Sequence, residues 1–97
     1  MTLKSKITAL DCAEEVKAQA LKWVEIIEKY APCEPEIIAG ISKNWFRFQW
    51  KSGGMRIEVS FGQYAIYLRR AHHQNGKFKS QSELRNPTEQ DFKAAFE

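Results

Sequence analysis

The sequence predicts an α+β fold: a three- to four-stranded antiparallel β-meander with an N-terminal and a C-terminal helix packed on one face, in the order α-β-β-β-α. Three observations predict it. Apolar residues recur at spacings of three and four over residues 11–30. Apolar and polar residues alternate over residues 45–69, interrupted by glycine-containing breaks. A helix-start signature then stands at residues 86–89. With 97 residues, 43% of them hydrophobic, the chain reads as one domain over 1–97. It can close one core but has no room for a deep cleft between domains.

The first helix is read from Ala13, Val16, Ala20, Trp23, Val24, Ile27 and Tyr30, which fall on one stripe. Asp11 is placed as N-cap with Glu14 three residues on, and Asp11, Glu14 and Glu15 suit the positive end of the helix dipole. Pro32 and Pro35 stop the helix and hold the connector extended. Ile37, Ile38 and Ile41 fit two roles equally, a cover over one end of the core or a short extra strand.

The meander is better specified. Phe46, Phe48 and Trp50 share one face of the first strand, and Trp45, Arg47, Gln49 and Lys51 the other. Met55, Ile57, Val59 and Phe61 alternate with Arg56, Glu58 and Ser60, and Tyr64, Ile66 and Leu68 alternate with Gln63, Ala65, Tyr67 and Arg69. Two-residue turns at Ser52-Gly53 and Gly62-Gln63 set Trp50 opposite Met55, Phe48 opposite Ile57 and Val59 opposite Ile66, so that inward residues meet inward residues. Residues 71–86 are polar around an Asn75-Gly76 turn signal, either a hairpin extension with Lys77 to Ser80 or a basic loop. Asn86, Pro87 and Glu89 read as N-cap, N1 and N3 of a last helix whose Phe92 and Phe96 face the sheet.

Charge is unevenly distributed. Residues 11–36 hold three lysines against seven acids, whereas residues 43–85 hold nine Lys/Arg against Glu58 and Glu83 alone. An acidic helix thus precedes a basic sheet, which suits an anionic partner or mutual compensation within the domain. The uncovered sheet face carries Trp45, Arg47, Arg56, Tyr67 and Arg69, residue types enriched at binding hot spots. In the inferred register Glu58 lies between Arg47 and Tyr67, and Arg47–Glu58 forms a cross-strand ion pair. Arg56 faces Arg69, a like-charge pair that a bound anion would relieve. The competing reading is a solvated face without a partner. Lys77 and Lys79 add charge beside it.

Patterns for chemistry are missing. His72 and His73 are adjacent on a strand, which turns them to opposite faces, and Cys12 and Cys33 lack metal-ligand spacing. The five glycines form no phosphate loop, and no RNA-recognition signature, helix-turn-helix or zinc finger is present. The expectation is a protein that is not an enzyme and uses no cofactor or metal. Two cysteines, no apolar leader segment and no spanning run lead to the expectation of a soluble cytoplasmic protein without a membrane partner.

The segment QWKSGGMRIEV, Gln49 to Val59, resembles a hairpin pattern of small phage and mobile-element proteins: a Trp ending one strand, a Gly-containing turn and a returning Ile-Glu-Val strand. The compact, motif-free plan is also similar to that of anti-CRISPR and other anti-defence proteins, although its basic sheet departs from their acidic, DNA-mimicking type. The resemblance implies an inhibitor that occupies a partner's surface. The functional expectation is therefore a protein-protein interaction module binding a protein or ribonucleoprotein through Trp45, Arg47, Arg56, Tyr67, Arg69, Lys77 and Lys79. Sequence-tolerant RNA or DNA binding is the alternative, and homodimerisation through a sheet edge is a further option.

Overall fold

The structure, a computed structural model, describes residues 2–39, 43–74 and 77–96, with the backbone alone for 52, 73–74 and 77–81. Its elements are α1 (Leu3–Thr8), α2 (Glu14–Tyr30), β1 (Glu36–Ala39), β2 (Trp45–Ser52), β3 (Met55–Gly62), β4 (Ile66–Gln74), β5 (Lys77–Arg85) and α3 (Glu89–Ala95). The strands form one antiparallel meander in the order β1-β2-β3-β4-β5. The α+β class holds, with both expected helices present and five strands rather than three or four. The additional strands resolve the two open segments: the isoleucine-bearing connector supplies β1, and the segment after Gln74 supplies a nine-residue β5.

The core lies between the sheet's inner face and the helices. Phe46, Phe48, Trp50, Ile57, Val59, Phe61, Ile66 and Leu68 point inward from the sheet and meet Val16, Ala20, Val24 and Ile27 of α2 and Phe92 of α3. Trp23 lies against Phe92 at 4.9 Å between ring centroids, and Trp50 meets Phe96 edge-on at the same separation. Such aromatic pairs add about 0.5–1.5 kcal/mol each beyond area burial.

The α1 helix was not expected. Its six residues are too few to be stable alone. Leu3 and Ile7 are buried in the core, and Thr2 caps the N-terminus by accepting from the Ser5 N–H at 3.1 Å. Lys6 Nζ reaches Glu34 Oε2 at 2.7 Å and so ties α1 to the connector before β1. The ammonium's hydrogen bond holds the Glu34 carboxyl below its ordinary value. The start of α2 also differs from expectation. The N-cap is Ala13, without a side-chain cap bond, and Asp11 instead pairs with Lys43 at 3.2 Å. The Ala13 N–H and the Cys12 thiol both donate to the Lys43 carbonyl, at 2.8 and 3.0 Å, fixing the entry to α2 against the chain that leads into β2.

The helix signature at residues 86–89 is right in kind and two residues early. Thr88 caps α3, accepting from the Asp91 N–H while Asp91 Oδ2 accepts from the Thr88 N–H at 2.7 Å. Asn86 is engaged elsewhere. At φ 52° its Oδ1 accepts from the Ile66 N–H at 3.1 Å, and its own N–H donates to the Ile66 carbonyl at 2.6 Å. These bonds extend the β4–β5 ladder past Arg85, a use of Asn that competes with capping.

The register also differs from expectation. The first hairpin turns at Gly53-Gly54, with Ser52 opposite Met55. Gly53 takes φ +60°, as a primed turn requires. Trp50 consequently faces Ile57, Phe48 faces Val59 and Phe46 faces Phe61. The second connection spans residues 63–65, with the Gly62 N–H donating to the Ala65 carbonyl at 3.0 Å and Phe61 opposite Ile66. Tyr64, expected inward, is 83% exposed in this loop, and Ala65, expected outward, is buried. Both hairpins are shifted by two residues, which preserves every face assignment within the strands but changes each cross-strand partner.

Candidate functional site on the outer sheet face

Among the described residues no helix covers the outer face, yet three of its side chains are buried: Gln49, Glu58 and Ala71. The long side chains around them lie across the sheet. Glu58, at the centre of β3, is only 4% exposed. It stands opposite Gln49 on β2 and Arg69 on β4. Three guanidiniums reach its carboxylate. Arg47 Nη1 donates to Oε2 at 3.4 Å, Arg56 Nη1 lies 3.7 Å from Oε1, and Arg69 Nη1 lies 3.8 Å from Oε2. The longer two distances are those of ion pairs rather than direct hydrogen bonds.

The expected Arg47–Glu58 pair is therefore present, as a diagonal contact and as one spoke of three. The expected juxtaposition of Arg56 with Arg69 is not. Arg56 stands opposite Lys51 and Ala71, because the register is two residues from the inferred one. Nor does Glu58 lie between Arg47 and Tyr67 in the ladder; both of those residues pair with Ser60. Repulsion among the arginines is offset by a carboxylate of the chain itself, so an external anion is not needed to explain their coexistence.

Aromatic side chains gather toward one end. Trp45 pairs with Gly62, Tyr67 lies across Ser60 two residue pairs away, and exposed Tyr64 lies in the adjoining loop. Arg47 lies over the Trp45 ring at 5.2 Å, a cation–π contact that holds both in place. Its Nε is buried without an acceptor among the described residues. The opposite end is basic, with Lys51 opposite Arg56. The sequence reading missed Arg85, which pairs with Tyr67. The signal was present in the alternation of Gln81, Glu83 and Arg85 with Ser82 and Leu84, now seen as the two faces of β5. The backbone of Lys77 and Lys79 belongs to β5, and their side chains lie outside the described residues.

Among the described residues no group of three or more His, Cys, Asp or Glu side chains could hold a metal ion, and no helix is long and apolar enough to cross a membrane. No protein-family model matches the chain, and neither a curated protein nor a solved structure matches it.

Proposed function

We propose that the chain is a non-enzymatic interaction protein that docks its outer sheet face on an anionic protein or ribonucleoprotein partner. The observation that carries this reading is the convergence of Arg47, Arg56 and Arg69, from three neighbouring strands, on one buried carboxylate. One carboxylate offers about four acceptor sites, whereas each guanidinium brings about five N–H donors. Even with Glu83 standing opposite Arg69 as a second carboxylate, the three arginines leave a net positive charge on a rigid support beside Trp45 and Tyr67. The two aromatics act as anchors and the arginines make charge-assisted bonds. Lys77 and Lys79 steer the encounter at longer range. The resemblance of the one-domain plan to phage and mobile-element anti-defence proteins favours an inhibitor that covers a partner's nucleic-acid-binding surface.

The same aromatics and guanidiniums also suit a second reading, in which Trp45 and Tyr67 stack on bases and the arginines meet phosphates of single-stranded RNA or DNA. Affinity capture from the native host's lysate, with and without nuclease, separates the two. Wild-type protein is compared with the Trp45→Ala/Arg69→Ala variant, whose fold is checked by circular dichroism. The expected result is a partner that survives nuclease and is lost with the variant. Recovery of nuclease-sensitive material alone would establish the second reading. Equal recovery by both proteins would exclude this face.

A further inference from the structure

On the other, helix-bearing side of the sheet, Arg70 of β4 occupies a place where the alternation calls for an apolar residue. It stands opposite Ile57 on β3 and Ser82 on β5. The side chain is half-buried, and its Nε donates to Met55 Sδ at 3.4 Å, a weak acceptor for a guanidinium. Among the described residues it makes no ion pair. Two depressions adjoin it. A cleft of about 300 Å³ is lined by Pro32, Trp50, Met55, Ile57, Phe96 and Arg70 itself. A smaller one of about 140 Å³ also has Arg70 and Ala95 in its lining and runs on to Ser82 and Leu84. Asp91 lines the second depression, but its Oδ2 is already committed to the Thr88 N–H and hydroxyl at 2.7 and 3.0 Å.

A cation set on the apolar side of a sheet carries a desolvation cost that a stem lying over the core does not remove. Among the described residues it meets a thioether alone, beside an open cleft with Trp50 and Phe96 in its lining. We propose that this cleft binds a small monocarboxylate with an apolar body. The carboxylate takes the fork of Arg70, and the body lies against Trp50, Ile57 and Phe96. A guanidinium matches a carboxylate with two parallel N–H···O bonds. The cleft's volume is at the lower end of small-molecule sites, which selects a compact ligand. The site is on the face opposite the one proposed to dock a partner, so either proposal can fail alone.

The test is a titration of the full chain with decanoate below its micellar range, followed by ¹H–¹⁵N NMR. Decanol and inorganic phosphate serve as probes lacking, respectively, the charge and the apolar body. The Trp50 indole N–H, which donates to the Cys33 carbonyl at 2.9 Å, reports on the cleft, and the Trp45 indole reports on the outer face. The expected result is saturable movement of Trp50 with decanoate, at least about tenfold weaker with decanol or with Arg70→Gln, and intermediate with Arg70→Lys, which keeps the charge but loses the fork. Each variant's spectrum in the absence of probe shows whether it is folded, and Arg70→Lys keeps the charge test valid if Arg70→Gln is not. No movement of Trp50, equal binding of phosphate, equal binding of decanol, or movement of Trp45 instead would each overturn the assignment.

Discussion

Glu58 is a carboxylate buried on a sheet face that has no layer above it, and its cover is made by the arginines it neutralises. Removing the charge while keeping the shape tests that account. Glu58→Gln removes the carboxylate that three guanidiniums share. A fully buried pair broken in this way costs about 3–5 kcal/mol. The arginine side chains are 29%, 43% and 46% exposed, so solvent screens part of the loss. We expect about 1–3 kcal/mol of destabilisation, read as a lower urea midpoint at unchanged slope. Asn86 is a second residue with a defined duty. At φ 52° it sits in left-handed backbone and bonds to Ile66 through both backbone and side chain. Asn86→Ala should cost about 2 kcal/mol from backbone strain and the lost side-chain bond, and Asn86→Gly clearly less, because glycine relieves the strain. Thermal unfolding of the pair separates the two contributions.

The elements differ in how they are held. The α1 helix is stable only through what it buries, so Ile7→Ala should cost about 2–4 kcal/mol by urea unfolding despite lying in a six-residue helix. Its second hold, Lys6–Glu34, depends on pH. The folded-state Glu34 carboxyl is depressed, so its contribution is present above the ordinary glutamate range and is lost as pH falls through the lowered value. The stability difference between wild type and Glu34→Gln should accordingly be seen near neutrality and close at the acid end of a pH series. These elements also show why parts of the fold were illegible in sequence. Leu3 and Ile7 are too short a run to establish a helical period, and whether Asp11 caps α2 depends on Lys43, which approaches only once β2 is in place. The long periodic α2 and the alternating strands could be read, because each carries its own repeated signal.

Across the whole molecule, an acid-rich α2 region, with seven acids against three lysines over residues 11–36, lies against one face of a basic sheet, while the arginines of the outer face are turned away from it. That separation leaves the positive face available to a partner. Raising salt from low to roughly half-molar should weaken association with an anionic partner while changing the melting temperature little, since the core is apolar and the Lys6–Glu34 and Lys43–Asp11 pairs lie at the surface. Concurrent binding and melting measurements on one sample would check both halves of that expectation.

The aromatic and cationic members of the outer face could be named from alternation alone, because strand side chains repeat every two residues and a polar position marks the wet side. Cross-strand neighbours could not. A shift of two residues leaves every inward and outward assignment intact while giving each residue a new partner, so the hydrophobic pattern is blind to it. Glycine placement was equally ambiguous, since Ser52-Gly53 and Gly53-Gly54 are both sound turns. Core packing of Phe46 on Phe61 and Phe48 on Val59 selects between them. That choice moves Arg56 away from Arg69 and brings both, with Arg47, to Glu58. The three-arginine centre and the seat of Arg70 against the Met55 thioether therefore exist only in the folded chain, where strands distant in sequence set which charges meet.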